Sequence, residues 1–268
     1  MLFPDIALSR RLEQAEGYAA AQFVDARSRM FPTCGSEWME TSGTYAIFDG
    51  ADSPITQTFG LGLFEEVSES SLDRIERFFT DRKAPVHHEV SPFAGVAALD
   101  LLCARHYSPA EISCVLYRPL GGPLDESSAA VRVRTIGPAE SDLWAQTNAR
   151  GWAHEHPELR DFLLQTGAIL SSRQQNVSFL AELDGQPGAA ASLCIHERVS
   201  LFAGAATVPE LRRRGLQTAL LQERLRYASE CGCDVAMIVA EVGGESQRNA
   251  ERNGFRVAYT RTKWRLRG

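Results

Sequence analysis

The chain has 268 residues, 44% of them hydrophobic and 23% charged, with a formal net charge of −6. It is too apolar for a disordered chain, has no run of the ~18–20 apolar residues a membrane span needs, and is not basic enough for a nucleic-acid surface. Residues 1–125 carry a net −8 and residues 126–268 a net +2, so a polyanionic partner is least expected in the first half.

In chain order, the N-terminus alternates charge with apolar residues and lacks a signal-peptide core, which reads as a protein that is not secreted. Leu8, Leu12, Ala15, Ala19, Phe23, Ala26 and Met30 fall at three- and four-residue steps, predicting one amphipathic helix over the first thirty residues, with Pro4 near its start and Pro32 past its end. Trp38 and Thr44–Phe48 are expected on short strands and Thr56–Phe64 on another. A helix starting at Ser70 carries Leu72, Ile75, Phe78 and Phe79; then come a strand at Val86–Val90, a helix at Val96–His106 and a strand at Ile112–Tyr117. The run Pro119-Leu-Gly-Gly-Pro-Leu-Asp-Glu-Ser-Ser128 reads as a linker. Beyond it, strands are expected at Val131–Thr135, Val177–Leu183, Ala189–His196, Ser200–Val208 and Val235–Ala240. Helices are expected at Asp142–Ala153, Glu158–Leu170, Leu216–Cys231 and Ser246–Asn253, and a last strand or hairpin at Phe255–Leu266. Strands interleaved with helices give an α/β or α+β class. The two sides of the linker share this order: Leu72 to Leu220 and Tyr107 to Phe255 are both steps of 148. That predicts two copies of one fold, as residues 1–118 and 131–268 joined by a linker at 119–130. The six cysteines form no CxxC pair and read as reduced thiols of a cytosolic protein.

Chemistry concentrates in Thr207-Val-Pro-Glu-Leu-Arg-Arg-Arg-Gly-Leu-Gln-Thr218. An apolar strand stops at Pro209, an arginine loop follows, and a helix opens after Gly215. The first amides of that helix, around Leu216, Gln217 and Thr218, lack intrahelical acceptors and carry the positive end of the helix dipole. Gly215 leaves the backbone open to approach, and Arg212, Arg213 and Arg214 add positive charge, so the segment is an anion cradle. An arginine-rich turn alone is commonly a solvated loop; the strand–Pro–loop–Gly–helix context sets this one apart.

Arg212-Arg-Arg-Gly215-Leu-Gln217 resembles the pyrophosphate-binding signature of the GNAT superfamily of acyl-CoA-dependent N-acetyltransferases, with Gln217 where glycine or alanine is usual. The resemblance runs through Val235–Ala240 to Ser246-Gln-Arg-Asn-Ala-Glu-Arg-Asn-Gly-Phe255, and covers Val131 to the C-terminus. It implies two tandem GNAT-like domains, each a mixed α/β sheet flanked by helices. It also implies acetyl-CoA as co-substrate, with its pantetheine arm along Ala206, Thr207 and Val208, a contact from Asn249, and a bulge suited to Gly204. The loop 148 residues earlier, Phe64-Glu-Glu-Val-Ser-Glu-Ser70, has three carboxylates and no glycine. The first copy is therefore expected to be degenerate and to bind no coenzyme A.

Transfer without an acyl-enzyme needs a neutral amine, an oxyanion donor and a proton for the leaving thiolate. The family's tyrosine acid would fall at Ala250, so Tyr259 and Ser246 are the substitute candidates, and Glu241 at a strand end is the candidate base. Trp152, His154, Glu155 and His156 lie where acceptors of this fold enter. His154 and His156 lack a third ligand at metal spacing, so no metal is expected. The reading is an N-acetyltransferase acting on a primary amine of a small molecule or peptide. The acidic first half would suit a polyamine or aminoglycoside, and a homodimer is left open. The alternative is a non-catalytic acyl-CoA-binding or sensing module.

Overall fold

The computed structural model describes residues 2–122, 130–153, 160–171, 173 and 176–267. The chain divides into two compact units: Met1–Tyr117 with Val239–Ala250 and Phe255–Gly268, and Arg118–Ile238 with Glu251–Gly254.

The first unit opens with α1 (Ile6–Met30), capped by the Asp5 carboxylate, which accepts from the Leu8 amide, and burying the predicted stripe from Leu8 to Ala26. Next are β1 (Glu37–Thr41) and β2 (Thr44–Phe48), a hairpin whose Ser42-Gly43 turn has positive φ at both residues. Then follow β3 (Gln57–Phe59), α2 (Glu69–Thr80), β4 (His87–Val90), α3 (Val96–Ala104) and β5 (Tyr107–Pro119). β3 is shorter than the Thr56–Phe64 strand expected, because Gly60 at φ +81° turns the chain and its carbonyl accepts from the Leu63 amide. Phe48, Leu72, Ile75, Phe79 and Leu102 centre this unit's core.

The second unit runs β6 (Val131–Thr135), α4 (Ser141–Ala153), α5 (Arg160–Ser171), β7 (Asn176–Leu183), β8 (Gln186–His196), β9 (Val199–Thr207), α6 (Leu216–Glu230) and the first part of β10 (Val235–Glu241). Its strand order is β6-β7-β8-β9-β10, antiparallel up to β9 and parallel between β9 and β10. Leu180 packs on Trp144 of α4, while its neighbour Phe179 meets Tyr227 of α6 edge-on. Successive residues of a strand point to opposite faces, so α4 and α6 cover opposite sides of this sheet.

The last elements are α7 (Glu245–Arg252) and β11 (Arg256–Leu266). Displaced by 148 residues, α2, β4, α3 and β5 fall on α6, β10, α7 and β11 to within about three residues at every boundary. The division into 1–118 and 131–268 expected from sequence is corrected at the end of the chain. β11 lies in the first unit, hydrogen-bonded on one edge to β4 and on the other to β5, giving the order β1-β2-β3-β4-β11-β5. Strand periodicity reports which face of β11 is buried and not which sheet receives it. Part of the expected linker, residues 123–129, lies outside the described residues. Among the described residues no helix is long and apolar enough to cross a membrane, and none of the cysteines is in a disulfide.

Candidate acyl-CoA site

β9 pairs with β10 at only three positions, Val199–Leu201 against Val235–Met237, and then runs on to Thr207. Against β8 the register changes between Ala190/Ala206 and Ser192/Ala203, so Gly204 and Ala205 together oppose Ala191. This is a β-bulge, and Gly204 at φ +60° makes its turn. Four side chains bond the backbone there. Asn148 of α4 donates to the Gly204 carbonyl, Ser192 Oγ donates to the Ala203 carbonyl at 3.1 Å, Trp144 Nε1 to the Ala191 carbonyl at 3.3 Å, and Arg224 Nη1 to the Ser192 carbonyl at 3.3 Å. Ala206 meets α4 so closely that a Cβ on Gly151 would stand 2.6 Å from its own.

Beyond the bulge, Ala206, Thr207 and Val208 are buried. The Val208 amide is spent on the Gly188 carbonyl at 2.9 Å, which withdraws that donor from the set expected to meet pantetheine. Thr207 Oγ1 is buried with no hydrogen-bond partner among the described residues, an unmet polar group in a position that a ligand would satisfy. Arg212 turns back, its guanidinium donating to the carbonyls of Thr207 (3.4 Å) and Gly151 (3.1 Å), and ties the loop to α4. Arg213, at φ +61°, and Arg214 stay exposed; the latter has only a 4.0 Å pairing with Asp184. Gly215, left-handed at φ +85°, is the N-cap of α6 and provides no side-chain acceptor. Ala219 donates to the Gly215 carbonyl, and the amides of Leu216, Gln217 and Thr218 ahead of it have no partner among the described residues. Leu216 itself is buried, Gln217 half-buried and Thr218 exposed. An open helix end beside exposed arginines fits a diphosphate.

The corresponding place in the first unit is built the other way. The α2 N-terminus is closed by a capping box: Ser71 donates its amide to Ser68 Oγ, and Ser68 donates its amide to Ser71 Oγ. Thr58 of β3 pairs with His88 of β4 in the ladder, and their side chains are bonded, Thr58 Oγ1 to His88 Nδ1 at 2.8 Å. His88 Nε2 donates to the Tyr107 hydroxyl, which donates to Glu76. Burial lowers His88 to about 3, so the ring is neutral. The residues 148 positions on from Thr58 and His88 are Ala206 and Ala236, and Ala236 pairs instead with Ser200. Thr58 and His88 are therefore joined by a side-chain bond as well as a ladder pair, whereas their counterparts Ala206 and Ala236 are not partners of each other.

Glu241 is exposed at the end of β10, Ser246 is exposed in the first turn of α7, and Asn249 is half-buried on the same helix. Ala250, at the family's tyrosine position, is buried and brings no hydroxyl. Tyr259 is corrected from candidate acid to core residue. It is buried, its hydroxyl donates to Glu13 Oε1 at 2.9 Å, and Phe93 meets its ring edge-on. Burial first and the Glu13 charge second push its ionisation well above the usual tyrosine range. Glu13 belongs to a buried ion cluster in which Arg261 of β11 holds Glu13, Glu16 and Glu89. Trp152 is half-buried at the end of α4, whereas His154, Glu155 and His156 lie outside the described residues. A cleft of about 560 Å³ in the first unit, walled by Pro54, Pro85 and Pro109, lies at the N-terminal ends of β3 and β4, away from the strand C-termini where α/β sheets bind ligands.

Arg224 and Asn148 were not singled out from sequence. The signal for Arg224 was present: it stands on the apolar stripe of α6 between Leu220, Leu221, Leu225 and Ala228.

A sequence profile of the Acetyltransferase (GNAT) family matches residues 140–255. No curated protein matches the chain. Among solved structures, a GCN5-related N-acetyltransferase from Kribbella flavida aligns with TM-score 0.67 and 18% identity over 94% of this chain and 95% of its own. Another from Sphaerobacter thermophilus aligns with TM-score 0.59 and 17% identity over 84% and 77%. A tandem GNAT protein from the clavulanic acid biosynthesis pathway aligns with TM-score 0.61 and 12% identity over 100% and 98%. Residues 140–255 are thus similar to the GNAT acetyltransferase family, and the chain as a whole shares the fold of a tandem GNAT protein.

Proposed function

We propose that the end of β9 and the N-terminus of α6 bind acetyl-CoA and that the protein transfers its acetyl group to a primary amine of a small molecule or peptide. The observation that carries this reading is the unmet helix end: three amides at the start of α6 without acceptors, opened by a glycine cap and flanked by exposed arginines. The diphosphate would lie on Leu216, Gln217 and Thr218, with Arg213 and Arg214 adding charge and Thr207 Oγ1 offering its free hydroxyl to the pantetheine arm. Asn249 is assigned a further contact to that arm. A thioester supplies an activated acyl carbon; the amine nitrogen bonds to it as the carbon–sulfur bond breaks, giving an amide and a free thiol. Glu241 is assigned the amine proton and Ser246 the delivery of a proton to the thiolate, directly or through water. Calorimetric titration with acetyl-CoA, followed by release of free thiol against an amine panel, tests the reading. Absence of binding would overturn it.

A second reading, a non-catalytic acyl-CoA sensor, is favoured by one feature: Ala250 replaces the family's acid and Tyr259 is committed to Glu13. Acetyl-CoA bound, with no thiol released on any amine, would select it.

A further inference from the structure

Arg224 is nearly inaccessible and has no carboxylate partner among the described residues. Its guanidinium donates to two carbonyls, Leu220 at 3.2 Å and Ser192 at 3.3 Å, and lies over the Phe202 ring at 4.7 Å. Burial alone lowers its ionisation to about 9, still above physiological pH, so a full positive charge sits inside the second unit. Buried charges are ordinarily paired, and a methionine of similar length would fill the same apolar stripe of α6 without that cost. Stability does not explain this arginine.

Its position does. The Ser192 carbonyl lies at the step where the β8/β9 register changes, and Phe202, under the guanidinium, is two residues before Gly204. The bulge reverses the alternation of β9. Phe202 faces α6, so in a regular strand Ala206 would face α6 as well, yet it packs on Gly151 of α4 and pairs with Ala190 of the α4-side cluster. The extra residue therefore decides which side Ala206 and Thr207 present. Trp144 and Asn148 bond the bulge from the α4 face; Arg224 is the donor that meets it from the α6 face. Asparagine and tryptophan offer the backbone neutral donors, whereas the guanidinium offers a charged one, for which a carbonyl is a stronger acceptor.

We propose that Arg224 is a positioning residue for the acyl-CoA site, holding the β9 bulge so that Ala206 and Thr207 keep the faces from which they meet the ligand. The proposal rests on the acyl-CoA reading above. It predicts a separation that a merely structural residue would not give. Arg224→Met, by removing an unpaired buried charge, leaves the thermal midpoint at or above that of the wild type, while acetyl-CoA affinity falls at least tenfold and amide exchange over residues 203–207 changes at least tenfold without ligand. Arg224→Lys, which can still donate to the Ser192 carbonyl, stays within threefold of wild type in both. The experiment is calorimetric titration with acetyl-CoA, thermal unfolding, and hydrogen exchange of the unliganded protein. Wild-type affinity in Arg224→Met overturns the proposal, as does an affinity loss that only tracks a lowered midpoint. Should the wild type bind no acetyl-CoA, the acyl-CoA reading falls by itself, and exchange at residues 203–207 still decides Arg224: unchanged rates overturn its role at the bulge, and changed rates support it. Should Arg224→Met fail to fold, Arg224→Gln is read by the same criteria.

Discussion

Ser68 and Ser71 close the N-terminus of α2 on itself, each hydroxyl accepting the other's backbone amide, while Gly215 leaves the N-terminus of α6 open. The two helices occupy the same place in two copies of one fold, so on the proposed acyl-CoA reading only one copy is expected to bind. Calorimetry is expected to give one acetyl-CoA per chain. Arg214→Glu combined with Gly215→Glu abolishes binding, a loss of at least a hundredfold, whereas Glu66→Arg leaves it unchanged. Equal losses in the two variants would contradict this asymmetry. Ser68→Ala costs about 1 kcal/mol of stability without altering affinity.

Gly151 is where α4 touches β9. A Cβ there would stand 2.6 Å from that of Ala206 and 3.0 Å from the Thr207 amide nitrogen, and the backbone cannot give way as a flexible side chain does. Gly151→Ala is expected to weaken acetyl-CoA binding about tenfold and to destabilise by ~1–3 kcal/mol. Gly137→Ala is the control, since Gly137 has negative φ and open space around it; titration and unfolding of both proteins make the comparison.

Tyr259→Phe distinguishes a core hydroxyl from a catalytic one. Removing the donor to buried Glu13 is expected to cost about 1–2 kcal/mol, read as a lower midpoint in thermal unfolding, with acetyl-CoA affinity and any thiol release within twofold of wild type. A turnover loss of a hundredfold without loss of stability would restore Tyr259 to the reaction.

His88 sets a pH dependence. Its folded value of about 3 lies below the ordinary histidine value of 6.5, so on acidification the unfolded chain takes up this proton first. The contribution is complete above pH 6.5 and is lost as pH falls from there towards 3, amounting to about 2 kcal/mol by pH 5. Denaturant unfolding at pH 8 and pH 5 should show the wild type losing that much more than His88→Asn, whose amide does not titrate. Equal losses would mean that His88 is charged when folded.

Much of this was legible in the chain. The 3.6-residue stripe of α1 and the apolar run of β10 are local patterns, and local patterns carry their own geometry. The opening of α6 was readable for the same reason: Pro209, Gly215 and the arginines are neighbours in sequence. What was not legible depends on distant partners. Tyr259 has the spacing of any strand residue, and only Glu13, 246 positions away, makes it a core group. Arg224 was visible as an arginine on an apolar stripe, but its meaning lies in a bulge two strands long. The membership of β11 is of the same kind, since nothing within Arg256–Leu266 names β4 and β5 as its neighbours.

That placement bears on how the protein is made. Synthesis delivers β4 and β5 early, yet their shared neighbour in the sheet is made only after the whole of β6 to β10. The first unit must therefore wait, incomplete, until β11 has been made. Loss of β11 would damage the earliest-made segments more than those just before it, so a product stopped short of it would betray itself through the portion made first.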